Sequence, residues 1–138
     1  AMRLYYCLDY DEASQTYKLP CFSLSMAKGV DGTLSKPLAA RLIRKTMQEM
    51  AVNHQAIPLP RAGLALDANS ILIECGEEWF AKIMLANHIS LKKISRVELA
   101  KKLKMERAIM DRTLNLHWNS KLEVLLPIAT TIGAGKLM

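Results

Sequence analysis

Short apolar runs separated by polar turns occur in the first half of the chain, and apolar residues recur at helical spacing in the second half. Four stretches are predicted to be β-strands: residues 3–10, which are rich in Leu, Tyr and Cys, and residues 15–24, 25–30 and 70–75. A helix is predicted before the last strand, from residue 33 or 35 to about residue 52. The order of the elements predicts an α+β fold, with a βββαβ unit over residues 1–76 and an all-α unit over residues 77–138.

Residues 95–116 carry the pattern of two short helices joined by a tight turn. Ser95 and Glu98 have capping-box spacing, which marks the start of the first helix. Lys104 occupies the turn position that usually has a positive φ and is usually glycine. The predicted inward-facing residues are Val97, Leu99, Ala100 and Leu103 in the first helix and Met110 and Leu114 in the second. The pattern predicts a helix-turn-helix, a motif whose second helix enters the major groove of DNA.

The excess positive charge of the chain lies in its last third. Residues 1–91 carry nine Lys or Arg and nine Asp or Glu, whereas residues 92–138 carry ten and four, a net charge of +6. This asymmetry is typical of a unit that binds a polyanion. DNA is therefore the expected ligand of the C-terminal unit, and nucleic acid is not expected to bind the N-terminal unit.

The second helix of the motif presents residues that can read DNA, and the first helix and the turn present residues that can hold it. Arg107 and Arg112 have planar guanidinium groups that can bond guanine O6 and N7 together. Ala108 permits close approach to the groove, and Asp111 can pair with Arg107 one turn back and keep it aimed. Three lysines are expected on phosphates: Lys101, Lys102 and Lys104.

A final helix is predicted from a second capping box, formed by Ser120 and Glu123, to about Gly133. Pro127 lies inside this helix and is expected to kink it. The apolar residues of the helix are too numerous for an exposed surface, so they are expected to form the contacts of a homodimer or higher homo-oligomer. These residues are Leu122, Leu125, Leu126 and Ile128.

The cysteines and histidines form no recognisable metal-binding pattern. Cys7, Cys21 and Cys75 are widely spaced, and the three histidines are scattered. We therefore expect no metal and no cofactor. The chain shows no signal peptide, and its longest uncharged run near the C-terminus, residues 124–135, is too short to span a bilayer. These features predict a cytoplasmic protein that does not bind a membrane.

A series of short motifs follows a characteristic order and spacing along nearly the full length of the chain. They are M-R at residues 2–3, D-G-T at 31–33, I-P-L-P at 57–60, I-L-I-E at 71–74, V-E-L-A-K-K-L at 97–103 and R-T-L-N-L-H-W-N-S-K at 112–121. No single motif is specific, but together they resemble the HicB antitoxins of bacterial toxin–antitoxin pairs. The resemblance is closest in the last two motifs.

The resemblance implies that the N-terminal unit is a degenerate RNase H-like fold that covers a partner toxin, the small ribonuclease HicA. It also implies that the C-terminal unit dimerises and binds the double-stranded promoter DNA of its own operon. On this basis we expect an antitoxin and transcriptional autorepressor that is not itself an enzyme.

Two other functions remain open from the sequence. The first is a stand-alone DNA-binding regulator with the same fold and no toxin partner. The second is a metal-dependent nuclease of the RNase H type, since Asp9, Glu49 and Glu74 occur in the order that such a site requires. Co-purification of a small toxin would separate the antitoxin from the regulator. Metal-dependent nuclease activity of the pure protein that is lost in Glu49→Gln would establish the nuclease.

Overall fold

The computed structural model describes residues 3–20, 22, 24–29, 32–62 and 69–133. These residues form an antiparallel sheet and a set of helices, so the predicted α+β class is confirmed. The described strands are β1 (Leu4–Asp11), β2 (Thr16–Leu19), β3 (Leu24–Ala27), β4 (Arg61–Ala62) and β5 (Ile71–Cys75). The described helices are α1 (Lys36–Val52), α2 (Glu77–Lys92), α3 (Arg96–Lys102), α4 (Arg107–Leu114) and α5 (Leu122–Thr131). Several positions in the predicted strands and turns, Cys21, Val30 and Asp31, lie outside the described residues.

The chain divides into two compact units. The first unit comprises Ala1–Thr46 and Pro58–Gly76, and the second comprises Met47–Ile57 and Glu77–Met138. The boundary predicted from the sequence, at residue 76, places residues 47–57 in the first unit. In the structure these residues pack with the helices of the second unit. The indole N–H of Trp79, for example, donates to the Met47 sulfur at 3.2 Å. Composition along the chain does not reveal this contact, because its partners are 32 residues apart.

Strand β1 is the centre of the sheet. Its residues 4–8 pair with β5 and its residues 9–11 pair with β2, which in turn pairs with β3, all antiparallel. The short strand β4 pairs with Leu4 and Tyr5, which β5 also pairs with, so β4 and β5 flank β1 on opposite edges. Strand β4 was not among the strands predicted from the sequence. Two residues are too few to show an alternating pattern.

Pro20 lies between two strands where the sequence pattern predicted a single strand. The strand predicted over residues 15–24 ends at Leu19, and β3 begins at Leu24. Proline has no N–H to donate to a neighbouring strand, so it interrupts the ladder. The chain turns here, and the Phe22 N–H donates to the Leu19 carbonyl at 3.2 Å.

Alternate residues of β1 and β5 are buried in the first unit. Tyr6 lies opposite Ile73 in the register of the two strands, and Cys75 is buried on the same face of β5. Burial raises the pKa of the Cys75 thiol to about 12, although the charge of Arg44 acts in the opposite direction. Burial also raises the pKa of the Tyr6 phenol. Both groups are therefore neutral at physiological pH.

Cys7 and Cys75 are expected to differ in reactivity. Cys7 is only half-buried, and in strand order it lies on the opposite face from Tyr6. Because the thiolate is the nucleophile, iodoacetamide near neutral pH should alkylate Cys7 at least about tenfold faster than Cys75. Mass spectrometry of peptides from a time course measures both rates. The same reaction in denaturant is the control, and there the two rates should converge. Equal rates in the native protein would contradict the burial of Cys75.

The second unit has a core to which all four of its complete helices contribute. The core cluster consists of Ala81, Leu85, Ile89, Leu99, Ala100, Met110, Leu114, Leu125, Ile128 and Ala129. Helix α2 also buries Trp79, Lys82 and Ile83, so it is buried on more than one side. Among the helices of the described residues, none combines the length and apolar character needed to cross a membrane.

Helix α5 begins at Leu122, one residue after Lys121, which is its N-cap and makes no side-chain capping bond. The prediction that Ser120 caps this helix is wrong. The Ser120 hydroxyl instead donates to the Thr113 carbonyl at 2.9 Å. The helix continues through Pro127 to Thr131.

The apolar residues of α5 are divided between the core and the surface. Leu125 and Ile128 are fully buried within a single chain, and Leu122 packs partly buried against the same core. The prediction that these residues form dimer contacts together with Leu126 is therefore wrong for Leu125 and Ile128, whose surface the core already covers. Leu126 is 47% exposed and neighbours the exposed Val124.

Candidate nucleic-acid interface

Helices α3 and α4 are two short elements joined by residues 103–106. The Ser95 hydroxyl accepts a hydrogen bond from the Glu98 N–H at 3.3 Å, so the predicted N-cap of α3 is confirmed. Leu99 and Ala100 of α3 are buried, as predicted. Val97 was also predicted to face inward, but it is 45% exposed. The helix is too short for an apolar stripe to determine its orientation fully.

The turn between the two helices contains the predicted positive φ. Lys104 has φ 52°, and its N–H donates to the Lys101 carbonyl at 3.2 Å. The Met105 N–H then donates to the Ala100 carbonyl at 2.9 Å, which closes the end of α3. A residue with a Cβ is strained in this conformation.

Relief of this strain gives a stability prediction. Lys104→Gly should raise the free energy of unfolding by about 0.5–1 kcal/mol, since glycine adopts a positive φ without the Cβ clash. Lys101→Gly is the matched control, because it places glycine inside α3 and should lower the same free energy by about 0.5–1 kcal/mol. Urea unfolding followed by circular dichroism measures both values. A loss of stability in both variants would contradict a strained turn at Lys104.

Helix α4 has one buried and one outward face. Met110, Thr113 and Leu114 are buried. At 100° per residue, Ala108 and Arg112 lie opposite these residues, one turn apart, and both are exposed. Arg107 is also exposed and lies at the side of the outward face, together with the half-buried Asp111. The four residues that were predicted to face DNA are thus on one accessible part of α4.

Asp111 forms ion pairs with two arginines. Its carboxylate lies 3.3 Å from Arg107 Nε, the contact that the spacing of one turn predicts, and 3.3 Å from Arg96 Nη1 on α3. The second pair was not predicted, because it joins residues on different helices. Both pairs are partly exposed and are worth little in stability. Their effect is to hold the Arg107 stem beside the outward face.

Lys101 of α3 and Lys104 of the turn line a surface depression. Lys101, Lys102 and Lys104 are all exposed, and none forms an ion pair with a side chain in the described part of the chain. The depression is lined by Val97, Ala100, Lys101, Lys104, Met105, Glu106 and Arg107. Among the described residues, lysines without an ion-pair partner are thus concentrated beside the N-terminus of α4.

Lys82 is a functional candidate that sequence reasoning missed. This lysine of α2 is only 2% exposed. Its ammonium group donates to the Asn115 carbonyl at 2.8 Å and to the Trp118 carbonyl, so it anchors the loop that follows α4. A charged residue inside the apolar pattern of α2 was the available signal, since a buried lysine requires hydrogen-bond partners.

The three acidic residues of the nuclease hypothesis do not form a metal site in the structure. Glu74 pairs in register with Tyr5, and Asp9 lies four residues further along β1, a separation of about 13 Å. Glu74 is engaged by Arg3 at 3.8 Å. Glu49 belongs to the second unit and is exposed. Across the described residues, no three His, Cys, Asp or Glu side chains are grouped so that they could hold a metal ion.

No protein-family model matches this chain, and no curated protein sequence matches it significantly. The function is therefore inferred from the residues and from their geometry.

Proposed function

We propose that the second unit is a helix-turn-helix module that binds double-stranded DNA with α4 in the major groove. The arrangement of α3, the strained turn and α4 carries this proposal. The buried Ala100 lets the helices approach closely, and the positive φ of Lys104 turns the chain sharply between them. The outward face of α4 is left accessible, with Ala108 and Arg112 on it and Arg107 at its side. A groove-binding helix needs such a face.

The lysines beside this face are suited to phosphates. Lys101, Lys102 and Lys104 lie on α3 and in the turn, the parts of the motif that cross the DNA backbone. Each lysine that neutralises a phosphate releases counterions, so binding should weaken steeply with salt.

A salt titration tests this proposal. Duplexes are first selected from a randomised library, and binding is measured by fluorescence anisotropy between about 50 and 200 mM salt. Replacing Lys101, Lys102 and Lys104 together by glutamine should make the slope of log affinity on log salt less steep by about three units. The matched control replaces Lys28, Lys36 and Lys45, which are exposed in the first unit, by glutamine. The proposal fails if the wild type binds no duplex at low salt. It also fails if the slope of log affinity on log salt becomes less steep by the same amount in both triple variants.

The resemblance to HicB antitoxins extends the proposal to the first unit. This unit binds and neutralises a HicA-type toxin without catalysis of its own, and the chain represses its own promoter. A groove of about 580 Å³ in the first unit supports protein binding, because aromatic, proline and leucine side chains dominate its lining. The groove includes Tyr5, Phe22, Pro58, Leu59, Pro60 and Leu72.

Co-purification separates an antitoxin from a stand-alone regulator. The chain is co-expressed with a small basic reading frame next to its gene, and the complex is isolated through a tag on the chain. Leu59→Asp, which places a charge in the groove, should abolish co-purification. Leu91→Asp is the matched control, since Leu91 is 77% exposed in the second unit. If no small protein co-purifies with the wild type, the stand-alone regulator becomes the better proposal.

Dimerisation is part of the same proposal. A single module reads few base pairs, whereas two copies about 34 Å apart match one turn of DNA. The exposed Leu126 and Val124 of α5 are the candidate contacts. Light scattering at tens of micromolar checks the mass, and a monomer at that concentration would contradict dimerisation.

A further inference from the structure

An exposed tryptophan lies against an arginine of α4. The Trp118 side chain is 52% exposed, whereas the other tryptophan, Trp79, is 4% exposed. The Arg112 guanidinium carbon lies 5.2 Å from the centroid of the Trp118 ring, within the range of a cation–π contact. Tryptophan is enriched at interfaces, because its side chain combines a large apolar face with a polar N–H.

The loop that carries Trp118 is held in place by buried groups. The Lys82 ammonium donates to the Asn115 carbonyl and to the Trp118 carbonyl. The Leu116 N–H donates to the Gln48 side chain at 3.0 Å, and Leu116 itself is buried. Trp118 is therefore presented on an anchored loop, although its ring is exposed.

Arg112 lies in the last turn of α4, one turn after Ala108 on the outward face. In the helix-turn-helix geometry, the N-terminal residues of the second helix reach the base edges, and positions near its end lie closer to the backbone. The Arg112 guanidinium forms no ion pair with any described side chain. Its charge is therefore available to a ligand while the Trp118 ring limits its orientations.

We propose that Arg112 and Trp118 form a clamp on the sugar–phosphate backbone beside the groove that α4 reads. Arg112 donates its N–H groups to a phosphate, and Trp118 holds the guanidinium in the required orientation and covers the adjoining sugar. Lys82 is a positioning residue that anchors the loop. The clamp rests on the proposed DNA binding, and it assigns Arg112 to the backbone instead of to guanine.

The two tryptophans allow a direct test. A selected duplex of about 24 base pairs, and a random-sequence duplex of equal length, are titrated into the full chain while the tryptophan emission is recorded. The wild-type emission should change on binding, and Trp118→Phe, which leaves Trp79 as the only tryptophan, should show no change. Anisotropy of labelled DNA then measures the affinity of each variant independently of its emission.

The variants distinguish a clamp from a base contact. Trp118→Ala should lower the affinity for both duplexes by about two- to fivefold, which corresponds to the loss of an exposed cation–π contact. The salt slope should not change. Trp118→Phe should restore most of that affinity, because it keeps an aromatic face. Arg112→Ala should lower the affinity for both duplexes by similar factors and make the salt slope less steep by about one unit. Leu91→Ala, at an exposed leucine of α2, is the control and should change nothing.

Different outcomes overturn different statements. If the wild type binds neither duplex at low salt, the proposed DNA binding fails and the clamp fails with it. If duplexes bind but neither the Trp118 emission nor the affinity of Trp118→Ala changes, only the clamp fails. If Arg112→Ala lowers the affinity for the selected duplex only, the clamp is also overturned, because that result identifies Arg112 as a base-reading residue.

Discussion

Leu125→Ala is expected to lower the free energy of unfolding of the second unit by about 2–5 kcal/mol. Leu125 is fully buried in the core cluster, where side chains from all four helices of the unit meet. Truncation to alanine removes its transfer free energy and leaves a cavity that the surrounding helices fill only in part. The loss should appear in thermal or urea unfolding followed by circular dichroism.

Leu126→Ala is the matched control, since it makes the same substitution at the next residue of α5. Leu126 is 47% exposed, so its truncation should change the free energy of unfolding by no more than about 0.5 kcal/mol. Light scattering of both variants also bears on the proposed dimer, because only Leu126 has surface available for a partner. Equal losses of stability would mean that the face of α5 turned toward the core has been misassigned.

Arg107→Ala is expected to weaken binding to a selected duplex by about 1–3 kcal/mol and binding to random DNA much less. Arg107 is in the first turn of α4, where side chains of a groove-binding helix reach base edges. Its Nε is engaged by Asp111, and the two terminal nitrogens of an arginine are the donors that can bond guanine O6 and N7 together. Anisotropy with both duplexes measures the two losses.

Lys102→Ala is the comparison for Arg107→Ala. This exposed lysine lies at the end of α3 and should contact only phosphate, so its loss should weaken both duplexes by similar factors. The salt slope should become less steep by about one unit. Asp111 keeps its pair with Arg96 when Arg107 is removed, so the effect of Arg107→Ala should not arise from an unpaired carboxylate. If the two variants lose affinity in the same pattern, α4 is not the helix in the groove.

Much of the local structure of this chain is determined by short-range sequence signals. The Ser95 cap, the positive φ at Lys104 and the buried stripe of Met110 and Leu114 all follow from spacings of a few residues. The order of strands and helices follows from hydrophobic periodicity, and it was sufficient to predict the α+β class. The concentration of positive charge after residue 91 is also a property of the sequence alone.

Tertiary structure decided which apolar and charged side chains became interior. The periodicity of α5 marks Leu125 and Leu126 alike as apolar, and only packing against the other helices covers the first and leaves the second exposed. The pairing of β4 with β1 and the anchoring of the Trp118 loop by Lys82 join residues far apart in the chain. A local pattern reports what a residue prefers, whereas the burial of that residue depends on the partner that the fold brings to it.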